Sequence, residues 1–254
     1  MDLGLAGRVY LVTGGTSGLG RATAEALVAE GARVVVSSRD PQKVANTAAE
    51  LGENAIGVPV DNADPDAAAR LTDAALTAFG RIDGALISVG GPPAGTATTI
   101  ADEVWRQQFD AIFLGALRIV RHLAPLLDVA TGREDGGAIA LVLSSSVKTP
   151  IPGLSVSNGL RAGLAMMTKD LADELGPQGT RVLTVVPGRI LTARTVELEG
   201  GDPRARERSE ATIPLRRLGR PEEYGRIAAV MLSPVASYVT GSIIPVDGGM
   251  LRSL

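Results

Sequence analysis

Cysteine is absent from all 254 residues, which excludes disulfide bonds and thiolate metal ligation. There is a single histidine, His122, so no histidine-based metal set is expected either. Its helical, largely apolar surroundings favour a structural role. Aromatic residues amount to only 3%, while hydrophobic residues reach 45%. The core must then be mostly Val, Leu, Ile and Ala, the usual filling of parallel sheets covered on both faces. Neither sign of charge dominates, and the net value of −3 gives no electrostatic footprint for nucleic acid. No apolar run approaches the ~18 residues of a membrane span. The opening segment enters a strand directly, without the charged and apolar blocks of a signal peptide. These absences lead to the expectation of one cytoplasmic domain over residues 1–254, with neither nucleic acid nor membrane as partner.

What is present is an alternation. Short apolar runs at 9–13, 33–37, 55–59, 84–88, 138–144, 181–186 and 242–245 alternate with helix-length segments. That rhythm predicts βαβ units and a parallel sheet, an α/β fold. Asp40-Pro41, Asp64-Pro65 and Arg220-Pro221 place Pro at first helical positions, twice behind an Asp cap. Glu30-Gly31 and Leu51-Gly52 read as helix ends. The stretch 191–213 is polar and arginine-rich, so residues 193–213 are either a substrate lid or a solvated surface helix.

Thr13-Gly14-Gly15-Thr16-Ser17-Gly18-Leu19-Gly20 follows the first strand and opens the first helix. Gly14 permits a tight turn, Gly18 lets the backbone approach a pyrophosphate, and Gly20 allows close packing of helix on strand. Free N–H groups at the helix start attract phosphate. The motif's position in a strand–turn–helix unit is what marks it as a dinucleotide site. The second strand runs into Ser37-Ser38-Arg39, with no acid to accept from a ribose 2′-hydroxyl. Arg39 instead suits a 2′-phosphate, which favours NADP(H) over NAD(H). The competing reading is a surface arginine beside the Asp40 cap.

The chain resembles a classical short-chain dehydrogenase/reductase along its whole length, with the 3-oxoacyl-acyl-carrier-protein reductases nearest in layout. The Thr13 to Gly20 motif matches the family's first fingerprint. Asp61, with Asn62 beside it, resembles the adenine-contacting position. Ser88-Val89-Gly90-Gly91 stands where the family has Asn-Ala-Gly, and Pro187-Gly188 followed by Thr192 resembles the loop at the nicotinamide end. Val246-Asp247-Gly248-Gly249 resembles the C-terminal signature. The resemblance implies a Rossmann-like, doubly wound, seven-stranded parallel sheet with helices on both faces. It also implies an NAD(P) cofactor, a small-molecule substrate and a homo-oligomer, tetramer or dimer.

The resemblance fails in the family's four catalytic side chains. Ser144 matches the serine. The tyrosine position, thirteen further on, is Ser157, and the lysine position, four beyond that, is Arg161. The asparagine position is Ile112. A serine hydroxyl is far less acidic than tyrosine's and needs its own base, and arginine does not give up its proton. Tyr10, Tyr224 and Tyr238 read as packing residues, as do Met166 and Met167. Lys148, four residues after Ser144, is either a substitute proton donor or an ordinary solvated lysine. The run Gly90-Gly91-Pro92-Pro93 and the Ser…Arg pair resemble a divergent, reductase-like subgroup.

Three functions follow. The first is an NADP(H)-dependent oxidoreductase in which Ser144 polarises a carbonyl, Arg161 positions the nicotinamide ribose, and Lys148, Ser157 or water relays the proton. The second is a cofactor-binding protein without turnover, a sensor or structural subunit. The third is a non-redox enzyme on the same fold. The apolar and arginine content of 92–99, 148–156 and 192–213 suits an acyl or acidic substrate.

Overall fold

Successive residues of a strand face opposite ways, so β1 (Val9–Thr13) feeds two cores at once. Val9 and Leu11 enter one apolar cluster, Tyr10 and Val12 the other. The computed structural model describes residues 1–132, 135–200, 202 and 204–253. The other strands are β2 (Arg33–Ser38), β3 (Ala55–Pro59), β4 (Gly84–Ser88), β5 (Ala138–Val142), β6 (Arg181–Pro187) and β7 (Ile243–Val246). They form one seven-stranded sheet in the order β3-β2-β1-β4-β5-β6-β7, parallel throughout. This is the Rossmann-like, doubly wound arrangement expected. Sheet growth reverses between β1 and β4, and a crevice opens at the carboxyl ends of strands where that happens.

The helices are α1 (Gly18–Ala29), α2 (Pro41–Leu51), α3 (Ala67–Phe79), α4 (Asp102–Gln108), α5 (Gly115–Leu127), α6 (Ser155–Leu175), α7 (Ala193–Glu199), α8 (Ala205–Thr212) and α9 (Pro221–Leu232). Leu71 of α3, Ile119 and Leu123 of α5 and Leu164 of α6 cover one face of the sheet. Leu27 of α1 and Tyr224, Ala228 and Leu232 of α9 cover the other. Helices α4 and α5 are joined by a π-helical turn, Phe109–Leu114.

Capping chemistry sets the helix starts. Asp40 accepts from the backbone N–H groups of Gln42 and Lys43 at 3.0 and 3.2 Å, with Pro41 behind it. Glu223 accepts from the Arg220 N–H at 2.8 Å, fixing the start of α9. The expected Asp64-Pro65 start is corrected: Asp64 accepts from the Asp66 N–H at 2.9 Å, which closes a turn and delays α3 to Ala67. Strand β5 ends at Val142, before the expected Ser144, because the Ser144 Oγ accepts from the Ser146 N–H at 3.1 Å and starts a 3₁₀ turn. Met166 is 71% exposed and Tyr238 fully so, against their reading as packing residues. Met166 lies off the buried stripe of Leu164, Thr168, Leu171 and Leu175 on α6. His122 is also exposed, on α5, and is no core residue.

Among the described residues, no helix is long and apolar enough to cross a membrane. Residues 193–213 contain α7 and α8, while 201 and 203 fall outside the described residues.

Candidate active site

The turn after β1 is built by three glycines. Gly14 and Gly18 hold φ of +60° and +53°, in the left-handed region that disfavours side chains. At Gly20 a Cβ would stand 2.3 Å from the Gly14 carbonyl oxygen, so only glycine lets α1 pack onto the turn. Two contacts hold this turn to its neighbours. The Gly15 N–H donates to the Ser37 carbonyl at 3.0 Å. The Thr13 hydroxyl donates to the Ser88 carbonyl at 3.0 Å and accepts from the Ser88 N–H at 2.9 Å, joining β1 to the end of β4.

A cleft of about 370 Å³ opens at the carboxyl ends of the strands. Gly14, Ser17, Gly18, Leu19 and Gly20 line one side. Ser88 and Gly90 after β4, and Ser144, Ser157 and Arg161 beyond β5, form its floor. Pro187, Gly188 and Thr192 close it after β6. The Gly188 N–H donates to the Val246 carbonyl at 3.0 Å, so the C-terminal signature supports this loop. Thr192 caps α7, accepting from the Thr195 N–H at 3.3 Å.

Five expected site residues do not line this cleft: Thr16, Arg39, Asp61, Asn62 and Lys148. Four of them lie just beyond the ends of β1, β2 and β3. Thr16 is half-buried within the turn, and Arg39 is exposed just beyond β2. Asp61 accepts from the Ala63 N–H at 3.0 Å, and Asn62 donates to the Ser88 carbonyl at 3.4 Å. Lys148 is different. It ends the 3₁₀ turn Ser145–Val147 and is exposed, so the turn carries it away from the cleft that spacing from Ser144 suggests.

Arg161 departs most from expectation. It is only 7% exposed. One terminal nitrogen donates to the carbonyls of Val142 and Leu143, both at 3.2 Å. The other donates to Val89 and Gly90 at 3.3 and 2.8 Å. The guanidinium thus ties the end of β4 to the end of β5, and both terminal nitrogens are committed to protein carbonyls rather than to ribose hydroxyls. Its Nε is buried without a partner. Burial lowers its pKa to about 10, with the nearby Arg194 adding to the fall. It remains charged at neutral pH.

Ser157 is 6% exposed, and its hydroxyl makes no hydrogen bond among the described residues. The Ser144 hydroxyl accepts one bond and keeps its own proton for a ligand. Ile112, at the asparagine position, is 1% exposed and belongs to the apolar core. Tyr10 and Tyr224 are buried elsewhere, and burial raises both phenols well above their ordinary range. In sequence, Thr13 heads the glycine motif and Arg194 belongs to the arginine-rich 191–213 stretch, though neither is marked there as an individual site residue; Arg189 is signalled only by its place next to Pro187-Gly188.

The geometry fits a dinucleotide. The hydroxyls of Ser37 and Ser38 are buried without partners at the end of β2, beside the glycine turn. Unsatisfied buried hydroxyls are costly unless a ligand completes them. No group of three or more His, Asp or Glu side chains that could hold a metal occurs among the described residues.

Comparison with known proteins agrees with this geometry. Residues 14–251 match the family model described as enoyl-(acyl carrier protein) reductase. Dehydrogenase/reductase SDR family member 4 of Homo sapiens is 34% identical over 96% of this chain and 88% of its own length. The 3-ketoacyl-(acyl-carrier-protein) reductase of Brucella melitensis, solved with NADH, superposes with a TM-score of 0.90 at 29% identity, covering 97% of this chain and 99% of that one. L-sorbose reductase of Gluconobacter frateurii, solved with NADPH and L-sorbose, gives 0.91 at 31% identity over the whole of both chains. The chain belongs to the short-chain dehydrogenase/reductase family of NAD(P)-dependent oxidoreductases.

Proposed function

We propose that this protein is an NADP(H)-dependent oxidoreductase that interconverts a carbonyl and an alcohol on a small molecule, by a proton path that uses no tyrosine. The observation that carries the reading is the shared cleft: Ser144 and Ser157 line the same crevice as the glycine turn and the Pro187-Gly188 loop. Gly14, Thr16, Ser17, Gly18, Leu19 and Gly20 hold the pyrophosphate through backbone N–H groups at the start of α1. Asp61 and Asn62 serve the adenine side. Ser88, Gly90, Pro187, Gly188 and Thr192 serve the nicotinamide end. Arg39, with the unsatisfied hydroxyls of Ser37 and Ser38, favours a 2′-phosphate. Nicotinamide complexes of both relatives above support the cofactor class, and the NADPH complex supports the preference.

A nicotinamide held here would supply hydride to a carbonyl carbon or, in reverse, accept it from the matching alcohol carbon. Ser144 donates its proton as a hydrogen bond to the carbonyl oxygen and polarises it. Ser157 stands at the tyrosine position and passes a proton from water, since its own hydroxyl is too weak an acid to dissociate. Arg161 keeps the cleft floor in place and supplies fixed positive charge; it does not move a proton. Lys148 enters only by a movement of its turn. A positioned acid is typically worth a factor of ~10²–10⁴, so turnover is slow by that margin against a tyrosine-bearing relative.

The single domain spans 1–254, with α7 and α8 within a lid at 193–213 over the substrate. The chain acts in the cytoplasm as a homo-oligomer, a dimer or tetramer. Exposed Met166 on α6 and Tyr238 before β7 support subunit contacts there. A stopped NADPH-consumption screen over aldehydes, ketones and oxo acids, run alongside NADPH binding, tests the reading. Substrate-dependent oxidation of NADPH is expected. Binding with no turnover across the panel would leave a cofactor-binding protein in its place.

A further inference from the structure

We infer that the substrate of this cleft carries a carboxylate, held at the cleft mouth by Arg189 and Arg194; this rests on the oxidoreductase reading above. Three arginines line the cleft, Arg161, Arg189 and Arg194, and no Asp or Glu lines it among the described residues. A concave, partly desolvated site lined by one sign of charge concentrates the opposite sign. The three arginines are not equivalent. Arg161 is committed to four carbonyls at the cleft floor.

Arg194 reaches over the rim. One terminal nitrogen donates to the Pro92 carbonyl at 2.8 Å and the other to Glu197 at 2.9 Å. A Cβ on Gly91 would stand 2.9 Å from its Nε, so the guanidinium lies directly against the Gly90-Gly91-Pro92 loop. Its ion pair with Glu197 is solvent-exposed, with the Glu197 side chain 68% exposed, and such a pair exchanges for a ligand carboxylate at little cost. Arg189 is half-buried, and among the described residues its side chain forms no hydrogen bond or ion pair. A planar guanidinium without a partner matches a carboxylate in a two-bond fork.

The remaining walls decide the rest of the molecule. Pro92, Ile151, Leu154 and Leu198 line the same space. They suit an apolar body attached to the charged end. The chemical class is thus an oxo or hydroxy acid with an apolar chain or ring, its carbonyl near Ser144 and its carboxylate at the rim. The rival owner of the two arginines is the dinucleotide's own phosphate groups.

The experiment separates these owners. The full-length protein is first titrated with NADPH. Its NADP⁺ complex is then titrated calorimetrically with 4-phenyl-2-oxobutanoate and with 4-phenyl-2-butanone, which replaces the carboxylate by methyl. The acid is expected to bind at least about tenfold tighter at low salt, the gap narrowing as salt screens the charges. Arg189→Gln and Arg194→Gln each reduce that gap by about tenfold while the NADPH Kd stays within about twofold. An acid that binds no better than the ketone, undetectable binding of both included, overturns the inference and leaves the NADPH reading standing. Loss of NADPH affinity in both variants, matching any loss for the acid, gives the arginines to the cofactor and overturns it too. Failure of the unaltered protein to bind NADPH removes the oxidoreductase reading and the inference with it.

Discussion

The two ends of the sheet handle charge in opposite ways. At the amino end, Asp83 is buried and receives the Val9 N–H at 2.8 Å and Arg81 at 2.7 and 2.9 Å. Arg8 bridges Asp83 at 3.5 Å and Asp135 at 2.6 Å. Arg181 donates to the carbonyls of Met231, Leu232, Ser233 and Val239. A smaller cavity of about 210 Å³ lies there, and its walls carry acids and bases together. At the carboxyl end, the larger cleft has three arginines and no acid among its described lining residues, and the Ser37 and Ser38 hydroxyls at the nearby end of β2 are buried without partners. One end balances its charges within the chain, and the other presents arginines with no acid beside them among the described lining residues. A buried arginine alone does not mark a site. Arg161 and Arg181 both hold four carbonyls, and only the first lines a cleft without acids among its described lining residues.

Substitutions at the two ends should therefore report on different properties. The largest effect is expected for Asp83→Ala at the amino end, which leaves the buried Val9 N–H unpaired and removes the buried carboxylate shared by the part-buried Arg8 and the exposed Arg81. A loss of about 3–5 kcal/mol in denaturant unfolding is expected, or roughly 6–20 °C in Tm, with NADPH affinity of the folded protein unchanged. Altered NADPH affinity would mean the ends are not independent. Next is Arg161→Met, which strips the donor from four carbonyls and should cost about 2–4 kcal/mol. Unlike Asp83→Ala, it should also weaken cofactor binding, because the loops after β4 and β5 lose their tie. A variant as stable as the parent would remove the clamp role.

Ser144→Ala should lower kcat/KM about 10²-fold while costing about 1 kcal/mol of stability from the lost turn cap. Equal turnover in the variant would take Ser144 out of the chemistry. The smallest effect is on pH dependence. Arg161, at about 10, stays charged, and no tyrosine lines the cleft, so kcat should change little between pH 6 and 9. Ser157→Tyr should introduce a limb below the ordinary tyrosine value of ~10, since Arg161⁺ favours the phenolate. A limb already present in the parent would contradict a cleft without a titrating proton donor.

The sequence made the scaffold readable because its rules are local. Alternating apolar residues in β1 anticipate two cores, and Asp40 and Pro221 anticipate helix starts that the backbone adopts. The glycine turn was readable for the same reason, since Gly14, Gly18 and Gly20 answer to a local backbone path. What was not readable depends on segments meeting from far apart. Arg161 reaches carbonyls about seventy residues away at Val89 and Gly90, which spacing within α6 does not reveal. Lys148 is close to Ser144 in sequence, but it ends a 3₁₀ turn, is exposed and does not line the cleft. Arg194 approaches Pro92 only once β4 and β6 have their places in the sheet. Met166 was misjudged by composition, though its position off the 164–168–171–175 stripe was there to be read.

The central claim is that the open carboxyl end is a site for NADP(H). It is tested most directly by calorimetric titration of the protein with NADPH and with NADH, repeated on Arg39→Ala. The account predicts NADPH binding at least about tenfold tighter than NADH, a gap set by one charge-assisted phosphate contact, and its loss in Arg39→Ala with NADH affinity unchanged. Binding of neither nucleotide would contradict the account, and so would a preference for NADH.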